Sequence, residues 1–293
     1  MNPIVRTHLT NGVGNNLFQY IYARLIAEHH NGAVVIVPPK KHSGYYGMKY
    51  LSKMGFYSMP HINNNFKTIS IHEKEASTKF YKKKYHKNNF IVRGYFEDFR
   101  LYIKNMDTIR GWFPKVDVPH NEDLVLHLRA GDRLFYRNSY LPGMKASPES
   151  YVEAIGRFNF KRLHIVTDMP SWNPIDAEGL SKMEFHVKGI GGSQLNKQGK
   201  VPDLNMAVDY FNSLYDAFNK YDPVVRCSQD LAEDFNYMRS FNNILFQHST
   251  FAWWAAAVSK ANHVGVYGPW RPAKTKVSNL SKIGLPGWFQ WGN

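Results

Sequence analysis

Hydrophobic positions along this chain fall into short runs that alternate with polar loops and with longer segments of helical spacing. Residues 4–9 form a short apolar stretch, and a glycine-containing turn follows it. Apolar residues then recur at intervals of three and four, which predicts a helix with Asn15 or Asn16 as N-cap and with Asn31-Gly32 at its end. Residues 33–37 are a continuous apolar run, typical of a buried strand. This strand–helix–strand opening predicts an α/β fold with a parallel sheet.

The second half of the chain repeats the pattern of strand, loop and helix. The predicted strands, with their loops, are 123–132, 161–170, 183–187, 242–250 and 262–269, and the predicted helices are 205–218 and 251–261. The repetition predicts a second, doubly wound domain. We place the boundary in the stretch PKVDVPHNED, which gives domains 1–120 and 121–293. Trp253 and Trp254 lie within the last helix and are expected in the core.

Composition indicates an anionic or aromatic-binding partner. Among 293 residues, 37 are Lys or Arg and 23 are Asp or Glu, which gives a net charge of +14, and 15% are aromatic. Such a charge favours nucleotides, phospholipid surfaces or nucleic acid, and aromatic side chains stack on sugars and bases. The densest basic stretch, KFYKKKYHKNN at 79–89, is either a solvated surface segment or a phosphate or membrane contact. Because the basic residues are spread along the whole chain, we expect no nucleic acid partner.

The chain carries no sequence sign of export or of membrane insertion. It has one cysteine, Cys227, so no internal disulfide can form. No apolar run approaches the ~20 residues that cross a bilayer, and the first residues, MNPIVRTHLTNG, lack the layout of a signal peptide. We therefore expect a cytoplasmic protein, with peripheral association with an anionic membrane left open.

Candidate ligand-binding residues follow the predicted strands, where ligands of open parallel sheets bind. Arg129 closes an apolar strand, and a guanidinium there can hold a phosphate with two hydrogen bonds. An ordinary ion pair with Asp132 is the alternative, and Asp132 could equally position His127. Asp168 ends the next strand. Ser249 and Thr250 precede a helix, where either hydroxyl can cap the helix or the helix start can bind an anion.

Several enzyme classes lose support from missing motifs. The sequence has no Gly-x-Ser-x-Gly elbow and no Walker loop, and the loop GVGNNL lacks the third glycine of the dinucleotide fingerprint. The histidines show no metal-ligand spacing along the chain.

Four segments, in the same order as here, resemble the bacterial-type α-1,2-fucosyltransferases and, more distantly, the α-1,6- and protein O-fucosyltransferases. NGVGNNLFQYIYARLIA resembles that family's Gly-Gly-x-Gly-Asn-Gln-x-Phe-Gln-Tyr opening, and RGYFEDFRLY resembles its Gly-Tyr-Phe-Gln segment. HLRAGD at 127–132 resembles its His-x-Arg-Arg-Gly-Asp motif. EDFNYMRSFNNILFQHSTFAWWAAAV at 233–258 resembles its Glu-Asp-x-x-x-Met…Asn-Ser-(Ser/Thr)-Phe-Ser-Trp-Trp block.

The resemblance implies a GT-B-like fold, in which two Rossmann-type domains face each other across a cleft. It implies inverting transfer of L-fucose from GDP-β-L-fucose to a hydroxyl of a glycan acceptor, in α-1,2 linkage, with no cofactor and no metal. The N-terminal domain would lie on the acceptor side, and the C-terminal domain would bind the nucleotide sugar. The implied donor-binding residues are Gly12, Gly14, Asn15, His127, Arg129, Asp168, Asp234, Ser249, Thr250 and Phe251. Arg129, Asp132 and Glu97 are the implied catalytic residues.

The sequence departs from the family pattern at several positions, including Asn11 for the first Gly, Asn16 for the Gln of the opening and Glu97 for the Gln of the second segment. Ala130 replaces the second arginine of the motif, so Arg133 or Lys145 would have to supply that charge, or the donor is another nucleotide sugar. His248 stands where the family has Asn. A segment of about 40 residues between the predicted strand 183–187 and Cys227, which includes 189–205, is longer than the family's usual connection, and its predicted helix 205–218 can cover a different acceptor. The general base is open among Asp132, Glu97 and Asp98. A basic nucleic-acid-binding protein and a non-catalytic glycan-binding module are the alternatives from other classes.

Overall fold

The structure is a computed structural model, and it describes residues 2–37, 47–59, 64–73, 83–135, 146–185, 190–191, 204–227, 230–268 and 283–292. Contacts divide the chain into two compact units, 1–114 and 115–293. The boundary predicted at residue 120 lies six residues later, at the first residue of a strand that belongs to the second unit. Residues 79–82 of the basic stretch and 192–203 of the long connection lie outside the described residues.

The first unit is a four-stranded parallel sheet with helices. Its elements are β1 (Ile4–His8), α1 (Val13–His29), β2 (Ala33–Val37), α2 (Gly47–Lys53), β3 (Lys67–His72), β4 (Asn88–Arg93), α3 (Phe99–Ile103) and α4 (Met106–Arg110). The strand order is β2-β1-β4-β3, with β1 paired to β2 and β4. The point where the order reverses therefore lies between β1 and β4.

The helix α1 is buried on almost all sides, which explains its weakly amphipathic sequence. Its N-cap is Gly12, with no side-chain capping bond, so the prediction of Asn15 or Asn16 as N-cap is wrong. Asn16 does not cap the helix, because its buried side chain donates instead to the carbonyl oxygen of Thr10 (2.8 Å). At the other end Asn31 takes a positive φ of 52°, as predicted for a residue that terminates a helix.

The second unit is built on a six-stranded parallel sheet. Its elements are β5 (His120–Leu128), α5 (Pro148–Ile155), β6 (Leu163–Thr167), α6 (Ala177–Lys182), β7 (Glu184–Phe185), β8 (Ile190–Gly191), α7 (Leu204–Asn219), β9 (Val224–Cys227), α8 (Leu231–Arg239), β10 (Phe241–Phe246), α9 (Thr250–Ala257), β11 (His263–Tyr267) and β12 (Trp288–Trp291). A 3-10 helix, Gly131–Phe135, follows β5.

The strand order of this sheet is β12-β11-β10-β5-β6-β9. When its strands are numbered in chain order, this is 6-5-4-1-2-3, the order of doubly wound dinucleotide-binding folds. The order reverses between β5 and β10, and the fold positions ligands in the crevice at the carboxyl ends of these two strands. The structure confirms an α/β fold in which the four-stranded and the six-stranded sheets are parallel, as predicted.

Two predicted elements differ from the structure. In the described part of the segment predicted as the strand 183–187, residues Glu184–Phe185 form β7, which pairs antiparallel with β8 in a separate two-stranded sheet. The helix predicted at 251–261 ends at Ala257, because Ser259 bonds to backbone groups there. Strand β10 ends at Phe246, and the loop predicted to follow it begins at Gln247. Trp253 and Trp254 are fully buried, as predicted for core residues. Within the described part of the chain, helices lack the combination of length and apolar character needed to span a bilayer.

Candidate functional site

The carboxyl ends of β5, β6 and β10 bring together the predicted residues Arg129, Asp168 and Ser249, and we call this region the β5–β10 edge. Arg129 follows β5 directly, and its side chain is 26% exposed. Its Nε lies 3.9 Å from Oδ2 of Asp168, which follows β6 and is largely buried. The ion pair of Arg129 among the described side chains is therefore with Asp168. The side chain of Asp132, the alternative partner, lies outside the described residues.

Gly131 is required at this edge by a close approach of side chain and backbone. Its N–H donates to Oδ1 of Asp168 (2.8 Å), so Asp168 holds the loop and the arginine together. A Cβ at position 131 would lie 2.7 Å from Oδ2 of Asp168. From the sequence, Asp168 is predicted to contact a guanine or ribose. In the structure its carboxylate contacts Gly131 and Arg129, and so holds in place the loop that carries Arg129.

Gln247 is a residue of this edge that the sequence analysis missed. It follows β10, is buried, and donates from Nε2 to the carbonyl oxygen of Arg129 (2.7 Å). Its Oε1 has no hydrogen-bond partner among the described residues. Among the same residues, Nδ1 of His127 has no partner other than the main chain of His127 itself. Buried polar atoms are normally satisfied, so these two mark a place where a water or a ligand completes the hydrogen bonding. A polar residue directly after an apolar strand was the available signal.

The arginine missing at position 130 has a nearby counterpart in Arg133. Ala130 is buried in the core with Leu128 and Leu134, where the side chain of an arginine would displace apolar contacts. Arg133 is buried instead and donates from Nη2 to the carbonyl oxygen of His248. The charge of Arg133 thus lies next to the loop after β10.

His127 is held neutral at this edge. It is buried in β5, and burial, followed by the charges of Arg129 and Arg133, lowers its pKa to about 3. Its ring lies 5.7 Å from that of Phe251, which also contacts Phe235. A neutral imidazole adds no charge to this site, so the positive charge there comes from the arginines.

The start of α9 also belongs to this edge, since α9 begins after the short loop that follows β10. Ser249 is the N-cap, because its side-chain oxygen accepts from the N–H of Ala252 (3.2 Å), and Thr250 is the first helical residue. Capping by Ser249 is therefore observed. The helix carries no acidic residue in its first turn, and its N-terminal end bears the positive end of the helix dipole.

The carboxyl ends of β1 and β4 form a second candidate site in the first unit, which we call the β1–β4 edge. The buried side chain of Gln19 joins its two loops: Oε1 accepts from the N–H of Thr10 (2.9 Å), and Nε2 donates to Thr10 Oγ1 (2.8 Å) and to the carbonyl oxygen of Gly94 (3.1 Å). Asn11, which has a φ of 64°, donates to Tyr95 Oη (2.6 Å). A Cβ added at Gly12 would meet nothing within 4 Å, so space lies open beside this loop. Gly14 and Asn15 belong to the first turn of α1.

Glu97, at this edge, has a strongly raised pKa. Burial, and then the charge of Glu73, raises its pKa from 4.5 to about 7. Glu73 also accepts from the N–H of Tyr95 (3.3 Å) and contacts Gly94, whose φ is 142°. Asp98, by contrast, caps α3 and pairs with Arg100 (2.7 Å). Of the carboxyl groups considered as bases, Glu97 thus has its pKa raised toward neutral pH, whereas Asp98 caps a helix and pairs with Arg100.

Asp234 lies in the first turn of α8, on the carboxyl side of the edge strand β9. It belongs to α8, is buried, and its Oδ1 accepts from Nε of Arg226 on the edge strand β9 (3.2 Å). A cavity of about 840 Å³ lies at the amino ends of the strands of the six-stranded sheet. It is lined by Asn121, Phe160 and His263, at the amino ends of the strands, so it opens at the end of β5 opposite to Arg129.

No protein-family profile matches this chain, and no curated protein sequence matches it significantly. The function is therefore argued from the two sheet edges and from the four sequence segments described above.

Proposed function

We propose that this protein is an inverting glycosyltransferase that moves L-fucose from GDP-β-L-fucose to a hydroxyl of a glycan acceptor, forming an α-1,2 linkage. The observation that carries the proposal is the β5–β10 edge: the strand order of a dinucleotide-binding fold places Arg129, Gln247 and the start of α9 at its switch point. The same region contains two of the four segments that resemble fucosyltransferases. A GT-B pair of domains, with the first unit on the acceptor side, is part of the proposal.

Departure of GDP is the step for which the β5–β10 edge is suited. As the bond between C1 of fucose and the diphosphate oxygen breaks, that oxygen keeps the electron pair and its negative charge grows. Arg129 donates to the diphosphate, Asp168 and Gln247 hold the arginine and its backbone in place, and the N–H groups at the start of α9 belong to the same sheet edge. Fixed positive groups of this kind stabilise a leaving group without reorganisation. Arg133 adds a buried charge beside the same loop.

Activation of the acceptor is assigned to Glu97. Its carboxylate takes the proton of the acceptor hydroxyl while the acceptor oxygen forms the new bond to C1 from the face opposite to the leaving GDP, which inverts the configuration. A base works best when its pKa lies near the working pH, and the pKa of Glu97 is raised to about 7. Tyr95 and Asn11 supply polar groups at the same edge. The cytoplasmic location, with or without a membrane contact, belongs to the proposal as well.

Calorimetric titration with GDP, without added divalent cation, tests the donor site. We expect a one-to-one complex that Arg129→Ala weakens by about 1.5–3 kcal/mol, the range for a hydrogen bond to a charged group. Arg157→Ala is the matched control, since Arg157 is exposed at the opposite end of the sheet and pairs with Glu153. Equal GDP affinity of wild type and Arg129→Ala would remove Arg129 from the site.

A different nucleotide sugar is the second candidate, and the buried Ala130 favours it, since one cation of the family motif is missing. A thermal-shift screen against a panel of sugar nucleotides separates the two, because a ligand of the native state raises the melting temperature. We expect GDP-fucose to give the largest shift. A larger shift with another nucleotide sugar would retain the reaction class and change the donor, and a response to oligonucleotides alone would favour the nucleic-acid alternative.

A further inference from the structure

Two histidines and an aspartate meet at the amino ends of β5 and β6, at the opposite end of the sheet from Arg129. Oδ2 of Asp123 lies 3.2 Å from Nδ1 of His120 and 3.3 Å from Nε2 of His164. One side-chain atom from each residue lies within 4.8 Å of the other two. His120 and His164 are separated by 43 intervening residues, so no sequence spacing reveals the group.

An irregularity in strand pairing makes this cluster possible. In a regular strand, residues three apart point to opposite faces of the sheet. His120 pairs with Phe241 and Leu124 pairs with Asn243, so four residue steps along β5 lie opposite two steps along β10. The register of the two strands shifts between these pairs. The additional residues of β5 turn the side chains of His120 and Asp123 toward one another. Bulges of this kind re-aim side chains next to functional sites.

The separations between the nitrogen and oxygen atoms fit a tetrahedral metal ion. Zn²⁺ binds imidazole nitrogen and carboxylate oxygen at about 2.0–2.2 Å, so two ligands of a tetrahedral site lie roughly 3.4 Å apart. The separations of 3.2 and 3.3 Å around Asp123 are close to this value. Imidazole ligands favour Zn²⁺ and its neighbours in the first transition row over Mg²⁺ or Ca²⁺.

The neighbours of the cluster supply the second layer that metal sites use. Nδ1 of His164 lies 2.7 Å from Oη of Tyr237, and a tyrosine hydroxyl can accept from that nitrogen while Nε2 turns its lone pair to a metal. The ring of His120 stacks on Phe241 at 4.4 Å. The side chains of His120 and Asp123 are 29% and 21% exposed, which leaves solvent access for a fourth ligand.

We propose that His120, Asp123 and His164 form a binding site for one Zn²⁺ ion, with water or an external ligand in the fourth position. Leu128 lies five residue steps beyond Asp123 along β5, about 17 Å at the rise of a strand, so the ion lies far from the leaving diphosphate. It joins the amino ends of β5 and β6 and takes no part in the proposed glycosyl transfer.

Calorimetric titration of chelator-treated protein with ZnCl₂ tests the site. We expect one ion per chain with high affinity, loss of this binding in Asp123→Asn and in His120→Gln, and about tenfold weaker binding in Tyr237→Phe. Substitution with Co²⁺ should give the strong visible absorption of a tetrahedral complex in wild type and not in Asp123→Asn.

Two controls identify binding elsewhere. His263→Gln removes an exposed histidine at the start of β11, and His86→Gln removes one partner of the His30–His86 pair, whose Nδ1 atoms lie 3.0 Å apart. Both should bind Zn²⁺ as wild type does. Failure of the wild type to bind Zn²⁺, or binding that survives in Asp123→Asn and His120→Gln but is lost in His86→Gln, would overturn the proposal. GDP titration of Asp123→Asn is independent of these outcomes, so failure of this site and failure of the donor site are distinguishable.

Discussion

Replacement of Glu97 by Gln should stabilise the protein at alkaline pH and leave it unchanged at acid pH. Burial, with a smaller effect of Glu73, raises the pKa of Glu97 from 4.5 to about 7 in the folded chain. The folded state therefore binds more protons than the unfolded state between these values, and the stability that the neutral carboxyl provides is lost as pH rises through 7. Each pKa unit corresponds to about 1.4 kcal/mol, so the full cost of ionising Glu97 is about 3 kcal/mol.

Urea denaturation of wild type and Glu97→Gln at pH 5 and pH 8 measures this cost. The difference in unfolding free energy between the two proteins should grow in favour of Glu97→Gln by roughly 2.5 kcal/mol from pH 5 to pH 8, since most of the linkage falls in that interval. Glu73→Gln should shrink the effect because it removes the neighbouring charge. Asp107→Asn, at a fully exposed carboxylate, is the control. A difference that stays constant between the two pH values would show that Glu97 titrates normally, and would remove the reason for choosing it as the base.

Four further substitutions test the packing of the two edges and of the core. Gly131→Ala should lower the unfolding free energy by about 1–3 kcal/mol, because its Cβ would lie 2.7 Å from the carboxylate of Asp168. Gly12→Ala is the control and should cost less than about 1 kcal/mol, since its Cβ would meet nothing within 4 Å. Equal costs of the two substitutions in urea denaturation would refute the contact at Gly131. Trp253→Ala should cost about 3–5 kcal/mol, since the side chain is fully buried, and a small change in melting temperature would contradict that packing. Gln19→Ala removes four side-chain hydrogen bonds and should cost about 1–3 kcal/mol, with faster hydrogen exchange in the loop at residues 10–12 as the specific readout.

The elements that sequence reasoning predicted well are those with local signals. The apolar run at 33–37 became β2, and the residue that caps α9 is Ser249. The burial of Trp253 and Trp254 follows from an alanine- and tryptophan-rich helix with no polar face. Each of these depends on neighbours within a few positions along the chain, so the sequence alone was sufficient.

Contacts that depend on strand order could not be predicted. The bond from Gln247 to the backbone of Arg129 joins residues 118 apart, and the bond from Gly131 to Asp168 joins residues 37 apart. Both exist only because β5 lies between β10 and β6 in the sheet. The cluster around Asp123 depends in addition on a register shift that no pattern of hydrophobic residues encodes.

The most direct test of the account is release of GDP from GDP-fucose in the presence of EDTA, with circular dichroism used to verify that each protein stays folded. The account predicts slow turnover by wild type that EDTA leaves in place, and a rate at least about 100-fold lower in Arg129→Ala, the usual loss when a group that stabilises developing charge is removed. Turnover by Arg129→Ala at the wild-type rate would contradict the assignment of the leaving diphosphate to the β5–β10 edge.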